Sequence, residues 1–163
     1  MPVSRDSYLQ LGRCLAGAVS VVAAMERGTD AIIGLTVSSF VSLSLEPPLV
    51  MFAIQHDANS YPAIVASKCF GVSVMGTHQV QVARRFAIKG TNKAADAPIE
   101  MGVELPVPLV TGALAHVECT TSQIIVGGDH AIIVGKVEDV RVQLGEPLLY
   151  YDRKFGSFSP LEA

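Results

Sequence analysis

The stretch ALAHVECTTSQIIVGGDHAIIVGKVEDVRVQL, residues 113–144, is the clearest β region of the sequence. Small and larger residues alternate over Ala113–Thr121, and the alternation returns over Val137–Leu144. A period of two is the pattern of a strand with two different faces. The residues Gly127 to His130 predict a hairpin turn, because glycine and aspartate here separate two short apolar runs. Those runs are Gln123–Val126 and Ala131–Val134. The stretch therefore predicts antiparallel strands joined by tight turns.

The rest of the chain adds short strands and a few helices. Further strands are predicted at Val19–Met25, Ala31–Val37, Phe40–Leu45, Leu49–Ile54 and Phe70–Met75. Helices are predicted from the Ser4 cap to Leu15, from Ser60 to Lys68 and from Gln79 to Ile88. The continuous apolar run Leu49–Ile54 is typical of a strand buried on both faces. Gly90 to Pro108 has three prolines and no steady period, which predicts a long loop or lid. Short strands with glycine turns predict a mainly β, antiparallel barrel in a single domain over residues 1–163.

Composition narrows the classes of partner. The net charge is −3 and no basic run exceeds the pair Arg84-Arg85, so we expect no nucleic-acid partner. The apolar runs are shorter than the ~20 residues of a membrane helix, so we expect no membrane partner. The mean hydropathy of +0.42 is high for a small monomer, which favours a homodimer. The three scattered cysteines suit a reducing cytoplasm, and the spacing of the four histidines predicts no metal site.

The common nucleotide motifs are missing from the sequence. Neither the phosphate-binding GxxxxGK[ST] pattern nor the dinucleotide fingerprint GxGxxG occurs. Any nucleotide must therefore be held by loops and by the ends of helices or strands.

The segment Thr36-Val37-Ser38-Ser39-Phe40 ends a predicted strand and carries three hydroxyls. Hydroxyl and backbone N–H donors at a strand end suit a flavin, whose N5 and O4 accept hydrogen bonds and whose N1–O2 edge gains negative charge on reduction. Thr36, Val37, Ser38 and Ser39 are therefore candidate flavin-binding residues. The alternative interpretation is a surface turn rich in Ser and Thr.

Two further groups are candidate phosphate ligands. Asn59-Ser60 precedes a short predicted helix, whose first N–H groups favour an anion; the alternative is an ordinary helix cap. Arg84 and Arg85 lie on the hydrophilic side of another predicted helix, with Lys89 nearby, and arginine binds phosphate through two parallel bonds. A solvated helix face explains these cations equally well.

A histidine in the predicted hairpin turn is the candidate catalytic residue. Gly128-Asp129-His130 can present an imidazole to a ligand. Hydride transfer needs no general base, so His130 would position a nicotinamide or screen charge. The alternative is an Asp that stabilises the turn beside an incidental His. The same two interpretations, a ligand contact or a structural role in a turn, apply to Asp152 and Arg153, which follow Tyr150-Tyr151.

Taken in order along the chain, these segments resemble a known family. The segments that carry the resemblance are Leu11–Arg13, Gly17–Val22, Gly34–Phe40, Ser42–Val50, Ala83–Ala87, Gly128–His130 and Pro147–Tyr151. From about Tyr8 to Phe158 the chain resembles the flavin reductase-like family, the FMN-binding split-barrel reductases of two-component flavin-dependent monooxygenases. The resemblance implies a six-stranded antiparallel Greek-key split barrel with a few short flanking helices, dimeric, with the flavin near the subunit interface.

The resemblance also implies roles for single residues. Thr36 to Ser39 would line the isoalloxazine, and Ala53, Ile54 and Gln55 would pass along the ring and ribityl chain. Ser60 with Arg84, Arg85 or Lys89 would meet the phosphate. His130, Tyr151 and Arg153 would approach the pyridine nucleotide. The implied reaction takes hydride from NADH or NADPH to FMN or FAD, and the reduced flavin diffuses to a separate oxygenase.

Three other functions remain open on the sequence alone. The same barrel suits a non-catalytic flavin-binding protein that senses redox state or stores flavin. An oxidase of pyridoxine phosphate would require a denser cluster of arginine and lysine than Arg84, Arg85 and Lys89 provide. An interaction module would use the apolar surface for partners and bind no flavin. The sequence leaves the choice between FMN and FAD, and between NADH and NADPH, undecided.

Overall fold

A computed structural model of the chain describes residues 3–90 and 93–161. The helices are α1 (Arg5–Cys14), α2 (Tyr61–Ser67) and α3 (Val80–Ala87), with a 3-10 turn at Thr77–Gln79. The strands are β1 (Gly17–Ala18), β2 (Ser20–Met25), β3 (Ile32–Val37), β4 (Val41–Ser44), β5 (Leu49–Gln55), β6 (Cys69–Val74), β7 (Ile99–Met101), β8 (Pro108–Val110), β9 (Ala115–Gly127), β10 (His130–Val142), β11 (Leu149–Tyr151) and β12 (Lys154–Gly156). The predicted mainly β class with few helices is confirmed.

The main sheet has seven strands in the order β3-β2-β6-β9-β10-β5-β4. Two small sheets accompany it, with the orders β1-β11-β12 and β7-β8. The described strands therefore exceed the six that were expected, although neighbouring strands pair antiparallel as predicted.

The strands β9 and β10 are each 13 residues long and form one hairpin. The sequence pattern of the same stretch predicts several shorter strands. The turn is Gly128-Asp129, and Gly128 takes a positive φ of 71°. Irregular registers at Val134/Gly135 and Val137/Asp139 interrupt the pairing. Such bulges bend a strand and break its period of two, which explains why separate strands were predicted.

The predicted loop Gly90–Pro108 is partly wrong. Thr91 and Asn92 lie outside the described residues, but β7 lies within the range and pairs with β8 in a hairpin. The backbone N–H groups of Val103, Glu104 and Leu105, between these strands, donate to the buried Glu118 carboxylate at 2.7, 3.0 and 2.7 Å. A side chain from β9 therefore shapes this segment, and β8 packs against β2 and β6 of the main sheet.

The core explains how β3 and α3 are held together. Phe52 and Phe70 meet edge to face, with ring centroids 5.3 Å apart, in the middle of the main cluster. Phe86 of α3 is fully buried in a second cluster. A Cβ on Gly34 would lie 2.8 Å from the Phe86 ring, so only glycine lets α3 pack this closely on β3. The carboxyl end of β3 and the carboxyl end of α3 therefore lie side by side.

One expectation about burial is corrected. In β5, buried Val50, Phe52 and Ile54 alternate with partly exposed residues, so this strand is not buried on both faces. In α1, the Ser4 cap is as predicted, but the helix buries none of its residues. Within residues 3–90 and 93–161, the helices are too short or too polar to cross a bilayer.

Candidate functional site

A groove of about 380 Å³ opens where several elements end, and we call it the main groove. Its walls are the end of β3, the end of β5, the segment 58–60, the end of α3 and His130. Most of the residues singled out in the sequence meet here. Thr36, Val37, Ser38, Ser39, Ala53, Ile54, Gln55, Ser60, Lys89 and His130 all line it.

The three hydroxyls of the β3 end have different surroundings. Thr36 Oγ1 donates to the Ala83 carbonyl of α3 at 2.7 Å. Ser39 Oγ accepts from Ala53 N at 3.0 Å and donates to Ala53 O at 3.3 Å, so it ties this segment to β5. Ser38 is exposed, and its hydroxyl has no hydrogen-bond partner among the described residues. Of the three side chains, that of Ser38 is the one available to a ligand.

The opposite wall of the β3 end is formed by β5 and the start of β10. His130 pairs with Gln55 across these strands. The imidazole Nδ1 lies 2.7 Å from Asp129 Oδ1, and this hydrogen bond holds the pKa of the Asp129 carboxyl below its ordinary value. A carboxylate that accepts from Nδ1–H fixes the ring so that Nε2 is left for another partner.

Cationic groups gather at one part of the main groove. Lys89 lines it and forms a surface ion pair with Asp57 at 3.5 Å. Lys93 Nζ donates to Gly34 O at 3.2 Å and to Phe86 O at 3.1 Å. Burial lowers the pKa of Lys93, because the charged ammonium is partly removed from water. Ser60 is buried beside them, and its hydroxyl makes no cap bond to α2.

Arg84 and Arg85 lie away from the main groove. The Arg84 guanidinium lies over the Phe155 ring, 5.7 Å from its centroid. The Arg85 guanidinium donates to the Ala95 carbonyl and lies 3.9 Å from the Asp96 carboxylate. The structure thus brings Ser60 and Lys89 together with the β3 end in the main groove, but neither arginine lines that groove.

A second cavity of about 900 Å³, the side cavity, lies against the main groove. Both are lined by Thr36, Val37 and Ser38, so the two cavities meet at the β3 end. Arg84 and Arg153 line the side cavity. Tyr151 lies elsewhere, in a shallow depression with Asp152 and Lys154. The three residues expected to approach a pyridine nucleotide therefore line three different cavities. His130 lines the main groove, Arg153 the side cavity and Tyr151 the shallow depression.

Sequence reasoning missed Lys93. It lies in the segment that was predicted as a loop, six residues beyond the end of α3, with no periodic pattern around it. The only available signal was a cation after Gly90, and nothing local indicated that its ammonium would return to Gly34 and Phe86.

The main groove can hold a planar, polar ring system with an anionic tail. Apolar groups from Leu35, Ile54 and Phe86 provide surfaces for a ring. The Ser38 hydroxyl and the edge of β3, an edge strand of the main sheet, provide hydrogen-bonding groups. The ammonium groups of Lys89 and Lys93 provide positive charge for a phosphate.

Comparison with known families gives a match over most of the chain. The model of the family described as "Flavin reductase like domain" matches residues 11–159.

Individual relatives cover most of the chain as well. An NADH-dependent flavin reductase of a Rhodococcus species is 35% identical over 154 residues, which are 93% of this chain and 83% of that protein. The reductase subunit HsaB of a flavin-dependent monooxygenase from Mycobacterium tuberculosis is 36% identical over 137 residues, 80% of this chain and 71% of that protein.

A solved structure gives the same result for the fold. The NADH:FAD oxidoreductase SgcE6 of Streptomyces globisporus, in complex with NAD and FAD fragments, is 32% identical and superposes with a TM-score of 0.88. The alignment covers 98% of each chain.

Proposed function

This chain belongs to the flavin reductase-like family, and from that premise we propose that the main groove binds the flavin whose reduction is the protein's activity. The protein is an NAD(P)H-dependent flavin reductase, which transfers hydride from NAD(P)H to FMN or FAD. It supplies the reduced flavin to a separate monooxygenase component. The observation that carries the site is the meeting of the β3 end, His130 and two lysines in one groove.

The residues of the main groove fit a flavin. The Ser38 hydroxyl, free of intramolecular bonds in the described part of the chain, would donate to the polar edge of the isoalloxazine. Thr36 and Ser39 act indirectly, because their hydroxyls hold the β3 end against α3 and β5. Ala53, Ile54 and Gln55 would pass along the ring and the ribityl chain.

The phosphate of the flavin would meet Ser60, Lys89 and Lys93. The chemistry of this set suits an anion, since it combines a hydroxyl with two ammonium groups. Arg84 and Arg85 have other partners, so we no longer assign them to the phosphate.

The bound flavin supplies the redox chemistry by accepting hydride at N5. The chain's own part is to orient the two rings, since holding reactants at near-attack distance supplies several of the roughly 7–11 kcal/mol available from orientation. His130, whose Nδ1–H donates to Asp129, would accept at Nε2 from the N–H group of the nicotinamide carboxamide. Arg153 in the side cavity would meet the more distant part of the pyridine nucleotide. Tyr151 lies in a separate depression, and we propose no contact between it and the nucleotide.

We also propose that the chain works as a cytoplasmic homodimer with a single domain. The face of the main sheet that carries Val41 and Ile125 has apolar, partly exposed side chains, which favours a second copy as its cover. Cys14, Cys69 and Cys119 are free thiols, as expected in a reducing compartment.

Anaerobic mixing with NADH or NADPH tests the function. Either FMN or FAD in the presence of the protein should lose its visible absorbance as NAD(P)H is oxidised. A protein that binds flavin but does not bleach it would be the storage or sensor protein that the sequence left open.

The role of His130 has a separate test. His130→Ala should raise the KM for the pyridine nucleotide about tenfold, as expected for ~1.4 kcal/mol, and change the KM for flavin much less. His78→Ala, at an exposed histidine outside the main groove, is the control. A larger effect on the flavin KM would contradict the assignment.

A further inference from the structure

The positive charge in the main groove comes from two lysines whose surroundings differ. An ammonium carries three N–H donors, and two of those on Lys93 bond to the carbonyl groups of Gly34 and Phe86, at 3.2 and 3.1 Å. The side chain of Lys89 is 69% exposed, and its one hydrogen-bond partner among the described residues is the Asp57 carboxylate, at 3.5 Å. Lys89 therefore has more free donors for a phosphate, but it already faces a negative charge.

Asp57 lies in the turn between β5 and α2, and the backbone on both sides of it is anchored. The N–H group of His56 donates to the carbonyl of Asp129 at 3.0 Å. The N–H group of Ala58 donates to the carbonyl of Gln55 at 3.1 Å. These bonds hold the turn in place and keep the Asp57 carboxylate near the lysine opposite.

The ion pair adjoins the part of the main groove that is proposed for the flavin phosphate. Lys89, Ala58 and Ser60 line the groove, and Asp57 directly precedes Ala58 in the chain. Exposed ion pairs are weak, so a phosphate can draw the lysine away from the carboxylate. The carboxylate then remains beside the phosphate, and two negative charges at short range repel each other.

We propose that Asp57 lowers the affinity for the flavin phosphate, because it pairs with Lys89 in the free protein and repels the phosphate in the complex. The proposal rests on the proposed function, since it assumes that the phosphate lies at Ser60, Lys89 and Lys93. Asp57 thus reduces the difference in affinity between a flavin with a phosphate, such as FMN, and riboflavin, which has none. It does so without lining the groove itself.

A lowered affinity suits the activity. The protein supplies reduced flavin to a separate monooxygenase component, so the flavin has to leave after hydride transfer. Two lysines without an opposing carboxylate would hold the phosphate more tightly and keep more of the reduced flavin on the protein. Asp57 therefore increases the fraction of reduced flavin that is free in solution.

Equilibrium titration with FMN and with riboflavin, in the absence of any pyridine nucleotide, tests the proposal. Asp57→Asn keeps the size of the side chain and removes its charge. It should tighten FMN binding about fivefold, the equivalent of ~1 kcal/mol, and leave riboflavin binding unchanged. Asp57→Glu keeps the charge and should bind both flavins as the unchanged protein does.

Salt and a second aspartate provide the controls. The gain in FMN affinity should shrink as the ionic strength rises from 0.01 to about 1 M, because salt screens exposed charges. Asp152→Asn is the matched control, since Asp152 also forms an exposed ion pair, 3.8 Å from Arg13, and lies outside the main groove. This variant should leave both affinities unchanged. Thermal unfolding of each variant shows whether the fold is retained.

The contrary outcomes separate this inference from the proposed function. An unchanged or lower FMN affinity in Asp57→Asn, with FMN still reduced by NADH, would overturn the role of Asp57 and leave the reductase function standing. Equal tightening of FMN and riboflavin would overturn it as well, because the carboxylate would then act on the shape of the groove. The same gain in Asp152→Asn would attribute the effect to net charge instead. Failure to bind either flavin would refute the proposed function together with this inference.

Discussion

At the scale of the residue, the two serines after β3 differ in what they contact. The Ser38 hydroxyl faces the cavities, while the Ser39 hydroxyl bonds twice to the backbone of Ala53. Ser38→Ala should weaken flavin binding by ~1 kcal/mol and leave stability unchanged. Ser39→Ala should lower the free energy of unfolding by about 1 kcal/mol, because the Ala53 N–H loses its acceptor. Flavin titration and urea unfolding of both variants measure the two effects, and the reverse pattern would contradict the assignment.

Cys119 links stability to pH at the same scale. Burial, reinforced by the carboxylates of Glu138 and Glu118, raises the pKa of its thiol to about 12. The unfolded thiol loses its proton near pH 9 while the folded one keeps it, so this stabilisation is complete below pH 9 and declines as the pH rises toward 12. Between pH 8 and 10.5 the free energy of unfolding should therefore fall by about 2 kcal/mol more than in Cys119→Ala. Equal slopes in the two proteins would show that the thiol ionises normally.

At the scale of the element, the β7–β8 hairpin depends on one carboxylate. Glu118 is fully buried and accepts three backbone N–H groups from the segment Val103 to Leu105. Gly102 permits this approach, since a Cβ there would lie 2.5 Å from Glu118 Oε2. Glu118→Gln replaces one acceptor oxygen by an amide that cannot accept, and should cost about 2 kcal/mol of stability.

Urea unfolding with Glu138→Gln as the control tests this element. Glu138 is exposed and pairs with Lys136 at 3.2 Å, so its substitution should leave the unfolding midpoint almost unchanged. Similar midpoints for the Glu118 and Glu138 variants would contradict the role of Glu118.

Two hairpins, β9–β10 and β7–β8, show which parts of the fold could be predicted from sequence. The turn Gly127–His130 was predicted because its signal is local, two glycines and an aspartate between apolar runs. The strand β7 was missed because a carboxylate from a distant strand shapes the segment beside it. The candidate site likewise contains residues with a local sequence signal and a residue that distant contacts place there. The β3 end, Ser60 and His130 stand in recognisable local contexts, whereas Lys93 reaches the groove through contacts to Gly34 and Phe86 that no local pattern reports.

At the scale of the whole molecule, one face of the main sheet carries apolar side chains that the described residues leave partly exposed. The strand registers place Val41 beside Met51, and Ala53 beside Ile132, which pairs with Ile125. Residues opposite one another, or two apart, in antiparallel strands share a face. Val41 and Ile125 are 43% and 46% exposed. Since Ala53 also lines the main groove, a subunit covering this face would lie beside the flavin.

Ile125→Asp should therefore dissociate the proposed dimer, because a carboxylate in the apolar interface that we propose here would be buried without a partner. Val126→Asp is the control, since the neighbouring side chain points to the opposite face and is already 75% exposed. Size-exclusion chromatography with light scattering should give a dimer for the unchanged protein and for the Val126 variant, and a monomer for the Ile125 variant. If flavin binds beside this interface, the monomer should also lose flavin affinity. A dimer that survives Ile125→Asp would place the second subunit on another surface.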